Sequence, residues 1–203
     1  MNRALIWDLD GTLLDSYPAI LLGLEETYQY FGLTFHREEV KAFVLRYSVK
    51  DLLYQLSEQE QIPLETLNTV RANSLREKNA QISLMEGARE ILEWAREMGM
   101  KQFIYTHKGG NTFAILDELG ISHYFVEVLT ADSGFARKPD PEAVLYLMEK
   151  YELPQEATYY IGDRLLDAET AQAAGIKSLN LTLGSSAYNT HIDCLLDIKN
   201  AIV

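Results

Sequence analysis

The sequence predicts a doubly wound α/β domain, a parallel sheet covered by helices on both faces, with an all-helical insert after its first strand. Three observations carry this expectation. A short apolar run, Ala4-Leu5-Ile6-Trp7, ends abruptly in polar residues near the start of the chain. From about Glu86 onward, helical and strand patterns alternate, which is the order that builds parallel sheets. Three helices in that half stop at a glycine just before a strand, at Gly99, Gly120 and Gly175. The core is therefore assigned to residues 1–15 and 87–203, and the helical insert to 16–86.

Each element has its own warrant. Ala4-Leu5-Ile6-Trp7 has no polar face, as expected of a strand buried on both sides. In the insert, Ile20, Leu21, Leu24, Tyr28 and Phe31 recur at helical spacing, as do Val40, Phe43 and Val44, then Leu52, Leu53 and Leu56. Beyond it the expected order is helix 88–98, strand 101–105, helix 112–119, strand 126–130, helix 141–151, strand 158–161, helix 165–174 and strand 178–181. Asp140 suits an N-cap, with Pro141 at the first helical position. Gly184-Ser185-Ser186 reads as a loop, and residues 192–198 as a final helix or short strand.

Composition narrows the function classes. With 47% hydrophobic and 24% charged residues the chain is globular, which excludes disordered and collagen-like classes. A formal charge of -12 repels phosphate backbones, so no nucleic-acid partner is expected. No apolar run approaches a membrane span, and Met1 leads into a mixed stretch rather than a basic-then-apolar signal. The only cysteine, Cys194, fits a reducing compartment, and a cytoplasmic location is expected. Monomer and homodimer both stay open.

The chemistry lies at the strand ends. Alternate residues of a strand share a face, so Asp8 and Asp10 of Asp8-Leu9-Asp10-Gly11-Thr12 can emerge together, with Gly11 allowing a sharp turn. On its own, this pentapeptide equally describes a polar strand end with a turn. Strand 101–105 ends in Thr106-His107-Lys108, Lys138 precedes Pro139-Asp140-Pro141, and strand 158–161 runs into Gly162-Asp163, with Asp167 one turn on. Singly, Thr106 is an ordinary strand-end residue, Lys138 a solvated charge and Asp167 a helix-start acid favoured by the dipole. In an open α/β sheet, however, those ends line one crevice, and the groups would converge.

These segments together, Asp8 through Ser16, Thr106, Lys138-Pro139 and Gly162-Asp163-Arg164-Leu165-Leu166-Asp167, resemble the four ordered motifs of the haloacid dehalogenase superfamily. The insert lies where capped members carry an α-helical cap, and the chain as a whole is most similar to phosphoglycolate-phosphatase-like proteins. Arg164 stands where many relatives have Ser or Thr. The resemblance implies a Mg²⁺-dependent phosphatase acting on a small phosphorylated metabolite. It makes Asp8 the nucleophile that becomes an aspartyl-phosphate. A carboxylate meeting a phosphate dianion at about 4 Å faces roughly 8 kcal/mol of repulsion at an effective dielectric near 20, so cations are needed. The resemblance supplies them as Mg²⁺, held by the Asp8 side chain, the Asp10 backbone carbonyl and the Asp163 side chain, and as Lys138. It places Asp167 behind that shell, orienting metal-bound water or Lys138. Thr106 would hold the transferring phosphoryl oxygens.

Asp10, with its side chain spared metal ligation, would protonate the leaving alkoxide and later activate water, once Asp8 and the phosphate raise its pKa. That argues for phosphate esters over carbon–halogen bonds, which release no alkoxide. The β-phosphoglucomutase-like branch shows a Thr after the final motif Asp and a His a few residues on, whereas this chain has Ser16-Tyr17-Pro18-Ala19-Ile20. A mutase is disfavoured. A non-enzymatic relative would be expected to lack a nucleophile, base or ligand, and none is lost.

The cap is expected to set substrate choice. Arg46-Tyr47-Ser48-Val49-Lys50 is its most basic stretch, and Arg46 and Lys50 read equally as substrate contacts or as a solvated turn. His107, adjacent to Thr106, is a further candidate for lining the site. His36, His107, His123 and His191 make no zinc-like spacing. His191 and Cys194 could share a helix face, but nothing marks an oxyanion site beside that thiol. The tyrosines Tyr28, Tyr30, Tyr47 and Tyr54 could present an interface, but core packing explains most of them.

Overall fold

The computed structural model describes residues 3–78 and 81–202. The chain divides into two compact units, Met1–Asp15 with Ser83–Val203, and Ser16–Ile82. The first unit opens with β1 (Ala4–Trp7) and the short β2 (Leu14–Asp15), which pairs antiparallel with β3 (Ser83–Leu84). Between β2 and β3 runs the helical unit: α1 (Tyr17–Tyr30), α2 (Arg37–Arg46), α3 (Val49–Glu60) and α4 (Leu64–Lys78). Thereafter come α5 (Ala88–Glu97), β4 (Lys101–Tyr105), α6 (Thr112–Glu118), β5 (Glu127–Leu129) and α7 (Glu142–Lys150). β6 (Thr158–Gly162), α8 (Leu165–Ala173), β7 (Lys177–Asn180), β8 (Asn189–His191) and α9 (Ile198–Ala201) complete it.

The sheet has the order β5-β4-β1-β6-β7-β8 and is parallel throughout. β1 lies between β4 and β6, and the chain winds outward from it in both directions, so the strand order reverses beside β1. That reversal opens the crevice where ligands bind in such sheets. Burial explains the strand composition: all four β1 residues and most of β4 and β6 are inaccessible. Ile6, Phe103, Tyr160, Val144, Leu147 and Ala171 pack into one core, joining the sheet to α7 and α8. One buried polar pair is satisfied inside this apolar frame. Trp7 Nε1 donates to Gln102 Oε1 at 3.2 Å, and Gln102 Nε2 donates to the Leu92 carbonyl at 2.9 Å.

The helical unit has its own core, in which Leu21, Leu24, Val44, Leu53, Leu56 and Leu67 are buried. Gly23 of α1 lies against α4, where a Cβ would meet the Leu75 backbone at 3.5 Å, an ordinary van der Waals contact. Ser48 caps α3 by accepting from the Asp51 N–H.

The structure differs from the sequence expectation at polar ends. Asp140 does accept a helix-start N–H, that of Glu142 at 2.9 Å, but α7 begins one residue later and Pro141 is its N-cap. β5 stops before Thr130, whose N–H turns to Ser133 Oγ. Within residues 192–198 only Leu195–Asp197 form a 3₁₀ turn, entering α9, so His191 and Cys194 share no helix. β8 itself was not expected. It has no apolar run and is held by main-chain pairing to β7 and by Ser186 and Asn189 side chains. Among the described residues no helix is long and apolar enough to cross a membrane.

Candidate active site

Asp8 directly follows β1, and its N–H donates to the Ile161 carbonyl of β6, so the ladder carries it one residue beyond the strand. Lys138 reaches it from the loop before α7. Its ammonium lies 2.8 Å from Asp8 Oδ1 and 2.6 Å from Asp167 Oδ1, and all three side chains are nearly inaccessible. The same ammonium stands 5.5 Å from the ring centroids of Tyr105 and Tyr160, over two aromatic faces. Tyr160 Oη donates to the Tyr105 carbonyl and Tyr105 Oη to the Ala136 carbonyl, tying β6, β4 and the lysine loop together. Lys138 is therefore a caged charge rather than a solvated one.

Asp163, just after β6, and Asp167, in the first turn of α8, complete an acidic group. Asp8, Asp163 and Asp167 each present a carboxylate oxygen, and these lie within 4.8 Å of one another, buried. Both oxygens of Asp167 are engaged, Oδ1 by Lys138 and Oδ2 by the Arg164 N–H at 3.0 Å. Three hard oxygen donors against a single ammonium leave a local excess of negative charge, the donor set that a divalent cation fits. Burial pushes the Asp8 carboxyl up to about 6, with Asp167 adding to the rise and Lys138 opposing it. Burial works against the charge on Lys138, yet Asp167 and Asp8 outweigh it and hold that ammonium well above its ordinary range.

Gly162 is required by packing. A Cβ there would fall 2.5 Å from Asp167 Cβ and Cγ, where no atom fits. The Asp163 loop is then pinned from β7. Thr182 Oγ1 donates to the Asp163 carbonyl, Asn180 Nδ2 donates to the Arg164 carbonyl at 3.1 Å, and Asn180 Oδ1 accepts from the Thr182 and Leu183 N–H groups.

Thr106 and His107 follow β4. Thr106 is buried, and its Oγ1 accepts the Lys108 N–H, which leaves the hydroxyl proton to donate elsewhere. His107 acts behind Lys138: its Nε2 accepts the Lys138 N–H at 2.8 Å, fixing the lysine main chain. Asp10 stands at the other side of Gly11, whose φ of 83° makes the turn. Its Oδ1 accepts from Lys108 Nζ at 3.0 Å. Neither Lys108 nor Thr12, whose Oγ1 donates to Asp163 Oδ1 at 3.4 Å, stands out in the sequence. Lys108 was legible only as a charged residue two positions beyond Thr106. Arg46 and Lys50 belong to the helical unit. Both are exposed at the α2–α3 connector, with the Arg46 guanidinium 5.2 Å from the centroid of the Tyr47 ring.

Two outcomes follow from this geometry. Gly162→Ala should cost about 1–3 kcal/mol through overpacking, while Gly184→Ala, with nothing within 4 Å, should change little. Urea denaturation checks it, and equal stability of the two variants would contradict the packing argument. For the metal-free protein, a rise of the Asp8 pKa from 3.8 to about 6 means the folded state holds this proton more tightly than the unfolded chain. Stability is then lost as pH climbs from about 4 to about 6, by about 3 kcal/mol from this group. Asp8→Asn should accordingly be more stable than wild type at pH 7.5, by a margin that shrinks toward pH 4.5. A margin independent of pH would show that Asp8 is not held this way.

The comparisons agree with the motifs and the fold. The haloacid dehalogenase-like hydrolase family model matches residues 5–181. A phosphoglycolate phosphatase from Vibrio parahaemolyticus is 30% identical over 192 residues, covering 90% of this chain and 84% of its own length. A solved hydrolase from Streptococcus pneumoniae is 31% identical and covers 99% of this chain and 98% of its own, with a TM-score of 0.65. A haloacid dehalogenase-superfamily hydrolase of subfamily IA from Geobacter sulfurreducens reaches a TM-score of 0.80 over 100% of this chain and 97% of that one. At 22% identity, that likeness speaks for the fold alone. With a family match across most of its length, this chain belongs to the haloacid dehalogenase-like hydrolases.

Proposed function

We propose that the chain is a Mg²⁺-dependent phosphatase that hydrolyses a small phosphomonoester through an aspartyl-phosphate on Asp8. The observation that carries this reading is the buried carboxylate of Asp8 at the crevice, held by an ammonium that Asp167 shares. The substrate class follows the relatives. Phosphoglycolate phosphatases align over nine-tenths of the chain, so a short phosphorylated carboxylic acid such as 2-phosphoglycolate is the first candidate. Mg²⁺ would be held by the Asp8 and Asp163 side chains and the Asp10 carbonyl, and it would supply positive charge against the phosphate dianion. Asp167, with both oxygens engaged, supports the site from behind.

Within that frame each side chain has a task. Asp8 attacks phosphorus in line with the ester oxygen, the P–O ester bond breaks, and Asp10 gives its proton to the departing alkoxide. Lys138 balances the charge gathered on Asp8 and the phosphoryl group, and the Thr106 hydroxyl donates to a phosphoryl oxygen. Water then attacks the aspartyl-phosphate, Asp10 takes its proton, and phosphate leaves with Asp8 restored. Arg46 and Lys50 are assigned to the part of the substrate remote from phosphorus. A reducing cytoplasm suits the single, exposed Cys194.

The test is phosphate release from a panel of small phosphomonoesters, with Mg²⁺ and after exhaustive chelation. Activity should require Mg²⁺ and vanish in Asp8→Asn. Full turnover by the chelated enzyme, or by Asp8→Asn, would refute the reading.

A further inference from the structure

Lys108 is a second buried ammonium in the core unit, and the motifs leave it without a task. Its side chain is only 5% exposed, against 44% for the surface lysine Lys150. Placing an ammonium there is costly unless a partner answers it, and the partner is Asp10, at 3.0 Å. The lysine's main chain is fixed on both sides. Its N–H donates to Thr106 Oγ1 at 3.1 Å, and its carbonyl accepts from the Ala131 N–H at 2.9 Å. The Asp10 main chain is likewise fixed, by its bridge to Leu14 and the Gly11 N–H donated to the Leu14 carbonyl. With both backbones anchored, the side-chain pair restrains the Asp10 carboxylate through its Oδ1. The contact joins neighbouring strand ends, since β1 and β4 are paired in the sheet.

We propose that Lys108 is a positioning residue for Asp10, holding its carboxylate at the orientation from which it serves the leaving group. The proposal rests on the reading of Asp10 as the acid–base group. Its alternative is that Lys108 serves the phosphoryl group directly, as Lys138 serves Asp8. The two differ in a measurable way. A group that acts through Asp10 matters only where Asp10 matters, and Asp10 matters most when the leaving alkoxide is poor. A group that binds phosphate matters equally for every ester.

The experiment compares kcat/KM for an alkyl ester, 2-phosphoglycolate, and an aryl ester, p-nitrophenyl phosphate, in wild type, Lys108→Met, Asp10→Asn and the double variant. Because kcat/KM reports steps up to departure of the leaving group, slow hydrolysis of the phosphoenzyme does not mask the result. Lys108→Met should lose about 10- to 100-fold more on the alkyl than on the aryl ester, the scale of a misplaced catalytic group. Added to Asp10→Asn, it should cost little more, because the two act as one unit. Lys108→Arg should restore much of the alkyl-to-aryl ratio, a rescue that a merely structural role would not produce. Should Lys108→Met fail to fold, Lys108→Gln takes its place in the same comparison. Equal losses on both esters, or full additivity with Asp10→Asn, would overturn the proposal while leaving the phosphatase reading intact. If Asp10→Asn itself shows no preference between the esters, the acid–base reading fails first and takes this inference with it.

Discussion

One ammonium shared by two buried carboxylates organises the core of this protein. Lys138 sits between Asp8 and Asp167, and none of the three charges has solvent to fall back on. The trio carries one negative charge in excess, so removing Lys138 would leave two uncompensated buried carboxylates, at a cost of several kcal/mol. The surroundings are arranged to keep the trio in register. Tyr105 and Tyr160 face the lysine ammonium, His107 holds its N–H, and Gly162 leaves room for the Asp167 carboxyl. Asp8 is left in a state of tension, since burial holds its proton up to about pH 6.

Sheet topology turns this local arrangement into a site. β1 has β4 on one side and β6 on the other, so Asp8 and Asp10, Thr106 and Lys108, and Asp163 all project from neighbouring carboxyl ends. Side chains on rigid strand ends lose little entropy when they converge, which is why such ends suit pre-organised electrostatics. The β7 end contributes through Asn180, buried and hydrogen-bonded to the main chain around Asp163. The crevice is thus built from the carboxyl ends of four neighbouring strands, β4, β1, β6 and β7, and no single loop carries it.

Much of this was legible in the residues because apolar strands and polar strand ends leave a clear alternating pattern. β4 has the expected bounds, and α5, α6, α8 and β6 differ by one residue at most. Asp8, Lys138 and Asp163 could be placed together from topology alone. The Lys108–Asp10 pair could not, since neighbouring strand ends bring the two residues near but do not fix which way a long lysine side chain turns beyond β4. The same holds for Asn180, whose side chain reaches across to a loop 16 residues earlier. β8 escaped for a different reason. It is a polar edge strand made by main-chain pairing, and hydrophobic periodicity does not register it.

The central claim is that Asp8 itself carries the phosphoryl group. Rapid-quench mass spectrometry after mixing Asp10→Asn with an aryl phosphate and Mg²⁺ addresses it directly, because an aryl ester departs with little protonation while the second step stays slow. The account predicts a phosphorylated peptide containing Asp8 that accumulates within the first turnover and is absent from Asp8→Asn. Phosphate on any other residue, or turnover with no phosphopeptide at all, would contradict it.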